Sequence, residues 1–404
     1  MAGPDLQLPP PSELGARLQA ARKSAGKTQD DAAAHLGVAR TTITAIEKGQ
    51  RGIRPGELVQ LAGLYGKAVG ELVRAGMPPV SLAVQLRASA AATRYDRLVE
   101  PYAWELQNLA EDYVELERIC GAETPHAYPA ERSFGAISPE KAAEDIAHAE
   151  RARLGLGDGP IASLRDTLEQ DVGVRIFYLP MQTQIAAMFA FEPHLGGCIA
   201  VNQKHPEARR RMSLAHEYAH FLTSRAQATI DFGARYQRLP QHERFAVAFA
   251  PAFLMPATGI SRRFNELKAR GGGKFTFADL LSLAHYFGVS VEGLVLRLEE
   301  LRLVRRGLLE RAREAGFRPQ EGRAILRLVE QTSPSDILPT RYLLLAVQGY
   351  RESKITEAQF AKFLRVDLLE GRRVLQDMLG AASGDSLPTI GEQDIDRGIG
   401  EALS

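Results

Sequence analysis

Three residues of one short segment, SLAHEYAHFL (residues 213–222), combine side chains that can bind a metal ion and move a proton. His216 and His220 stand four residues apart, with Glu217 between them. On an α-helix, residues i and i+4 share one face, so both imidazoles can reach a single ion about 2 Å from each ring nitrogen. Glu217 lies beside that face and can accept a proton from a water that the ion polarises. The spacing favours a zinc site with a general base, and two core histidines are the alternative.

A catalytic zinc site of this kind needs a third protein ligand, which the segment itself does not supply. The sequence after His220 lacks the glycine and histidine that the metzincin pattern requires. Glu243, His242 and Asp231 are the candidates downstream. The helical repeat would point His242 about 100° away from Glu243. The residues alone leave the three candidates open and favour Glu243.

The elements around this segment are predicted to form a small α+β domain. PEKAAEDIAHAERARLG (residues 139–155) and PIASLRDTLEQDVG (residues 160–173) have the pattern of helices. VRIFYLP, AAMFAFEP and GGCIAVNQ have the pattern of strands, and HLGG is a plausible hairpin turn between the last two. HPEARRRMSLAHEYAHFLTS and HERFAVAFAPAFLMP then return to a helical pattern. A small sheet should therefore precede the helix that carries the histidines.

Four segments of this domain resemble the ImmA/IrrE family of zinc metallopeptidases. They are RRRMSLAHEYAHFL, ERFAVAFAPAFLMP, the strand ending IAVN, and DLLSLAHYFGVSVEGLVLRLEELRLV. The resemblance covers residues 139–305 and implies a zincin-like fold. One departure is Val247, where the family commonly has asparagine.

The resemblance also implies the roles of the site residues. His216, His220 and Glu243 would bind Zn²⁺, and Glu217 would be the general base of a zinc endopeptidase. The sequence contains all four of the residues that these roles require. The resemblance further implies cleavage of a repressor, often one with an XRE-type head itself, after stress or a mobile-element signal.

Residues 13–75 have the pattern of short helices separated by tight turns. Thr28 and Asp31 form a capping-box pattern, and Gly37-Val38 makes a turn before ARTTITAIEKG. Such a helix-turn-helix places its second helix in the DNA major groove. Between Arg17 and Arg54 there are eight basic and three acidic residues, a local net charge of +5 that the whole-chain charge conceals. A helical bundle for protein contacts is the alternative to DNA binding.

The segment RLQAARKSAGKTQDDAAAHLGVARTTITAIEKGQRGIRP resembles the XRE (Cro-type) helix-turn-helix family. The resemblance implies that Gln29 contacts the DNA backbone and that four residues lie on the recognition helix: Arg40, Thr41, Thr42 and Thr44. Arg22, Lys27 and Arg51 are expected to contact phosphates. Ala39 stands where the family prefers a capping serine or threonine, which weakens the helix start by about 1 kcal/mol.

The rest of the chain is predicted to be helical. Residues 80–135 form a connector whose amphipathic helix suits a spacer or a homodimer contact. Residues 306–380 form a helical C-terminal region, which we interpret as packing or dimerisation helices rather than a second nucleic-acid patch. Residues 381–404 are predicted to be a flexible tail.

The composition is that of an ordinary globular protein, with 404 residues, 45% hydrophobic, 25% charged and a formal net charge of +1. At roughly 100–200 residues per domain, this length suggests about two to four domains. Cys120 and Cys198 form neither a metal-ligand spacing nor a disulfide framework, which fits a reducing cytosol. The N-terminus lacks a signal-peptide pattern, and no stretch approaches the roughly 18 apolar residues of a membrane span. We expect a cytoplasmic protein without a membrane partner.

Together these features predict a multidomain, mostly α protein: an all-α helix-turn-helix bundle, a central α+β zincin-like domain with a small sheet, and a helical C-terminal region. The predicted function is a transcriptional regulator that binds operator DNA and cleaves a repressor, another protein or itself. The first alternative is a transcription factor whose zinc domain is a non-catalytic sensor or interaction module. The second is an antitoxin-like binding protein.

Overall fold

The computed structural model describes residues 11–67, 69, 72, 81–91, 95–122, 128–133, 135, 137–233, 239–314, 316, 318, 322, 326 and 337–383. The chain divides into two compact units, Met1–Gln107 and Asn108–Ser404. The prediction of a multidomain, mostly α protein with a small central sheet is confirmed. Most of the predicted tail, from residue 384 onward, lies outside the described residues, as do parts of the predicted connector and C-terminal region.

Four helices form the start of the N-terminal unit: α1 Pro11–Ser24, α2 Gln29–Leu36, α3 Arg40–Glu47 and α4 Pro55–Tyr65. Their inward faces share one core that includes Leu18, Ile43, Ile46 and Leu61. The predicted capping box of Thr28 with Asp31 is present. Ala39 provides no side-chain cap to α3, as expected from its methyl side chain.

The connector contains helix α5, Leu82–Ala90, and the long helix α6, Asp96–Cys120, which contains Pro101. The apolar positions of α6 are buried within the chain itself: Val99, Ala103, Leu106, Leu109, Tyr113 and Leu116. This burial accounts for the amphipathic pattern of α6. The roles of spacer and of homodimer contact both stay predictions.

The central domain contains a four-stranded mixed sheet, with the order β1-β3-β2-β4. Its strands are β1 Arg175–Leu179, β2 Ala187–Glu192, β3 Gly196–Asn202 and β4 Thr229–Asp231. β1 pairs with β3 in parallel, and β2 pairs with both β3 and β4 in the antiparallel direction. The three predicted strands are therefore present, whereas β4 was missed. Nearly every residue of β1, β2 and β3 is buried, which explains their continuous apolar sequences.

Helices cover the sheet and continue to the end of the described chain. Two precede it, α7 Pro139–Arg153 and α8 Leu164–Thr167, and a π-helical turn, Leu168–Val172, follows α8. The remaining helices are α9 Glu207–Thr223, α10 Gln241–Leu254, α11 Ala257–Arg270, α12 Phe277–Phe287, α13 Val291–Glu300, α14 Leu308–Glu314, α15 Thr340–Arg351, α16 Glu357–Leu364 and α17 Leu368–Ser383.

Among the described residues, no single helix is long and apolar enough to cross a membrane. Two bent pairs of successive helices, α10 with α11 and α12 with α13, reach the length and apolar composition of a membrane span only when the two helices of a pair are combined.

Within the residues that the structure describes, one capped turn occurs three times. Each begins with a threonine capping box, and the pairs are Thr28 with Asp31, Thr276 with Asp279, and Thr356 with Gln359. In each case, the helix that follows the capping box ends at a residue with a left-handed backbone conformation, and a valine comes next. The pairs are Gly37-Val38, Gly288-Val289 and Arg365-Val366. In all three, the valine N–H donates to the carbonyl five residues earlier, at 3.0–3.1 Å. We call this element the threonine-capped turn.

A buried carboxylate joins the C-terminal helices to the central domain. Glu117 of α6 accepts a hydrogen bond from Arg175 of β1 at 2.7 Å and another from Arg341 of α15. The ring of Tyr113 lies beside both guanidinium groups and packs edge-on against Tyr342. The second half of α6 therefore lies between the sheet and the C-terminal helices.

Candidate metal centre and nucleic-acid interface

The histidine-bearing helix α9 is held close to the sheet because small and apolar side chains meet there. Leu214, Ala219 and Leu222 are buried, as predicted for the flanks of the motif. Opposite α9, Gly197 of β3 leaves room for the ring of Phe221, which would lie 2.9 Å from a Cβ at that position. The two imidazoles therefore emerge from a helix whose position is fixed by packing.

Three donor atoms converge between α9 and α10. The separations are 3.2 Å from His216 Nε2 to His220 Nε2, 3.3 Å from His216 Nε2 to Glu243 Oε2, and 3.4 Å from His220 Nε2 to Glu243 Oε1. A tetrahedral zinc site with bonds of about 2.0–2.1 Å requires ligand atoms about 3.3–3.4 Å apart. The donor set and its spacing therefore fit one zinc ion, with the fourth corner left for water or substrate.

The charges of these side chains also suit a cation. Burial works to raise the pKa of Glu243, but the hydrogen bond with His216 and the nearby histidines hold it below its usual value. Burial lowers the pKa of His220, so its imidazole stays neutral. Burial also works to lower the pKa of His216, but the hydrogen bond with Glu243 raises it to about 9. A metal ion must therefore displace a proton from His216, which makes binding pH-dependent.

Glu217 is fully buried beside this cluster and does not belong to it. Its Oε2 accepts a hydrogen bond from Thr229 Oγ1 at 2.7 Å. Its Oε1 is buried with no hydrogen-bond partner among the described residues. Burial raises the pKa of this carboxyl to about 8. A carboxylate with one free oxygen and a raised pKa can take up and return a proton near neutral pH.

The other two ligand candidates lie outside the donor cluster of the described residues. Asp231 accepts a hydrogen bond from Ser213 Oγ at 3.3 Å. His242 lies nearer than its helical position suggests, because its Nε2 is 3.8 Å from Glu243 Oε1 and its ring is 5.8 Å from that of His220. His242 therefore borders the centre without completing it. His220 Nδ1 is buried without a partner among the described residues.

Helix α3, the predicted recognition helix, exposes some of the residues that are expected to contact DNA. Arg40 and Thr41 are exposed, whereas Thr42 and Thr44 are half-buried. Gln29 links α2 to α3, because its amide donates to Glu47 at 2.8 Å and its oxygen accepts from Thr44 Oγ1 at 3.3 Å. Gln29 is therefore fixed at the junction of the two helices.

The three predicted phosphate contacts differ in accessibility. Lys27 is exposed. Arg51 is half-buried and pairs with Glu57 at 2.8 Å. Arg22 is buried against Glu47 at 2.6 Å, so the expectation that it contacts phosphate is corrected. A guanidinium that is buried in an ion pair is not available at the DNA-facing surface.

Comparisons with known proteins match both regions. Residues 13–76 match the family model described as a helix-turn-helix domain. Residues 169–299 match a peptidase-family model described as the IrrE N-terminal-like domain. No curated protein and no solved structure matches the chain significantly. The predicted fusion of a helix-turn-helix domain with an ImmA/IrrE-type domain is confirmed, and the chain joins a DNA-binding domain to a peptidase-like domain.

Proposed function

We propose that the chain is a cytoplasmic DNA-binding regulator whose central domain is a zinc-dependent endopeptidase. The observation that carries this proposal is the donor triangle of His216, His220 and Glu243 beside a buried carboxylate with one free oxygen. A purely structural zinc site has four protein ligands and no use for that carboxylate. Three protein donors next to Glu217 are the composition of a catalytic site.

His216, His220 and Glu243 would hold the zinc ion. Zinc bound there supplies Lewis acidity, which polarises a peptide carbonyl and acidifies water. Glu217 accepts the proton of the attacking water at Oε1 and returns it to the leaving amine. The fully buried position of Glu217 keeps bulk water from competing for that proton. His242 borders the donor triangle and is half-exposed, so a substrate would meet it before the buried groups.

The N-terminal domain would bring this chemistry to an operator. Arg40 and the threonines of α3 would contact base edges, and Lys27 would contact phosphate. A helix-turn-helix protein usually binds two half-sites about 34–36 Å apart as a dimer. We therefore retain a homodimer in the proposal. The substrate would be a repressor or other regulatory protein, the chain itself included.

A zinc-binding sensor fused to a repressor head is the second candidate. Val247 favours it, because this side chain is 52% exposed one turn beyond Glu243 and adds no polar group to the helical face that carries Glu243. In that case the metal would change the protein's affinity for DNA, and no peptide bond would be broken.

The variant Glu217→Gln distinguishes the zinc endopeptidase from the zinc-binding sensor. The amide is nearly isosteric, so zinc content and DNA affinity should equal those of wild type. Loss of the general base should lower cleavage by about 10²–10⁴-fold. The assay is mass spectrometry of a peptide library, of the protein encoded by the neighbouring gene, and of the full chain itself, each incubated with zinc-loaded protein.

Arg244→Gln is the matched control, because this exposed side chain on the same helix pairs with Glu140 at 2.7 Å and lies outside the donor triangle. Cleavage by wild type and not by Glu217→Gln supports the peptidase. If wild type cleaves nothing, and Glu217→Gln regulates its operon as wild type does, the sensor is the correct function.

A further inference from the structure

We infer that Thr229 is the positioning residue for the general base, and this inference rests on the proposed peptidase function. Thr229 Oγ1 donates to Glu217 Oε2 at 2.7 Å, and both side chains are buried. This contact uses one oxygen of the carboxylate and leaves Oε1 free. The hydroxyl therefore decides which oxygen acts as the base and how the carboxylate is turned.

The strand β4 holds Thr229 in place through the sheet. Thr229 pairs with Phe189 of β2, and Asp231 pairs with Ala187 two residues along. Side chains two residues apart in a strand point to the same face, so Thr229 and Asp231 both face α9. The hydroxyl is thus positioned by backbone pairing and does not depend on a loop.

A second contact with α9 fixes the register between strand and helix. Asp231 Oδ2 accepts a hydrogen bond from Ser213 Oγ at 3.3 Å, one helical turn before Glu217. Four residues of helix span about 6 Å, and two residues of strand span about 6.6 Å, so the two contacts match in spacing. The strand runs antiparallel to the helix, and a slip would break both contacts together.

The chemistry of threonine suits this position. Its β-branched side chain favours a strand and has few rotamers, so the hydroxyl stays directed at Glu217. A hydroxyl donates one proton to a carboxylate without adding charge. A lysine or arginine there would neutralise the base, and a valine would leave both carboxylate oxygens without a partner.

Two variants test the inference. Thr229→Val keeps the shape and removes the donor, whereas Thr229→Ser keeps the donor. Thr229→Val should lower kcat by about 10–100-fold with little change in KM, the usual size of such supporting contacts. Thr229→Ser should keep most of the wild-type kcat. Zinc content should be the same in all three proteins. Thr229→Val should lower the melting temperature by only about 2–4 °C per kcal/mol of the lost hydrogen bond, and Thr229→Ser by less.

A second readout does not require turnover. In protein labelled with ¹³C at glutamate carboxyl carbons, the Glu217 resonance is the one that disappears in Glu217→Gln. Thr229→Val should shift this resonance, and Thr229→Ser should leave it near the wild-type position. An unshifted resonance in Thr229→Val overturns the inference even if wild type cleaves nothing. Equal loss of kcat in the valine and serine variants overturns it as well.

Discussion

Arg22 and Glu47 form a buried ion pair that joins the first and third helices of the N-terminal domain. Arg22 Nε lies 2.6 Å from Glu47 Oε1, with side-chain exposures of 8% and 2%. Gln19 and Gln29 donate to the same carboxylate. Arg22 is therefore part of the interior of the domain that presents α3 to DNA.

Removing one partner of this pair should destabilise the N-terminal domain. Arg22→Met leaves a buried carboxylate without its cation, which costs about 3–5 kcal/mol. Hydrogen exchange of α1–α3 in the full chain measures this cost as a free energy of opening. The double variant Arg22→Met/Glu47→Leu should recover a large part of it. Lys27→Met is the surface control, and a cost equal to that of Arg22→Met would contradict the structure.

The same pair should give the domain an acid-sensitive component. Burial works to raise the pKa of Glu47, but hydrogen bonds from Arg22 and Gln29 hold it below its usual value. An unfolded glutamate has a pKa of about 4.3. The stabilisation is therefore complete above that pH and is lost as the pH falls through the lower folded pKa. Stability of α1–α3 in Arg22→Met should vary less with pH over this range.

Zinc should bind in a ratio of about one ion per chain. Glu243→Gln and His216→Ala each remove a donor from the triangle and should abolish tight binding, measured by elemental analysis after dialysis. His242→Ala should keep the metal, since His242 lies outside the cluster. Full retention of zinc by His216→Ala would reject the site.

Titrations of DNA affinity at several salt concentrations should distinguish residues that contact bases from residues that contact phosphates. Arg40→Ala should cost about 1–3 kcal/mol on the specific operator and little on random DNA, provided that Arg40 contacts a base edge. Lys27→Ala should weaken both and reduce the salt slope by about one unit. Equal losses on both DNAs for Arg40→Ala would reassign that residue to the phosphate backbone.

Glu117 should be among the most sensitive positions of the larger unit. Its carboxylate is 6% exposed and forms ion pairs with both Arg175 and Arg341. Glu117→Ala leaves two arginines without their shared anion and should cost about 3–5 kcal/mol in urea unfolding. The control is Arg373→Ala, because Arg373 is 73% exposed and its pair with Glu370 should contribute at most about 1 kcal/mol.

Much of the metal centre could be predicted from sequence because its geometry is local. His216 and His220 share a face through the helical repeat alone, and Glu217 follows from its position between them. Glu243 was favoured among three candidates by the residues, and the resemblance assigned it as the ligand, since periodicity could not place α10 against α9. His242 was expected to point away, and the structure brings its flexible side chain back towards Glu243.

The missed features depend on distant partners. Arg22 resembled a surface residue because Glu47, 25 positions later, is not visible in its own helix pattern. β4 has three residues, which are too few for an alternating pattern to be recognised. The sequence therefore did not predict a role for Thr229. The parallel pairing of β1 with β3 was likewise hidden, because adjacent apolar strands do not reveal their order.

The threonine-capped turn has a consequence for the recognition of DNA-binding motifs in genome sequences. A search that scores this turn would find three DNA-binding motifs here, yet the second helices expose different chemistry. α3 presents Arg40 and Thr41, whereas α13 presents Glu292 and Glu300, which repel phosphate. α17 begins with Leu368 and Leu369, which are 44% and 70% exposed, and its exposed Arg372 and Arg373 form ion pairs with Glu357 and Glu370. A motif count from sequence would thus score three equal elements, although the outward residues of their second helices differ in charge and in pairing.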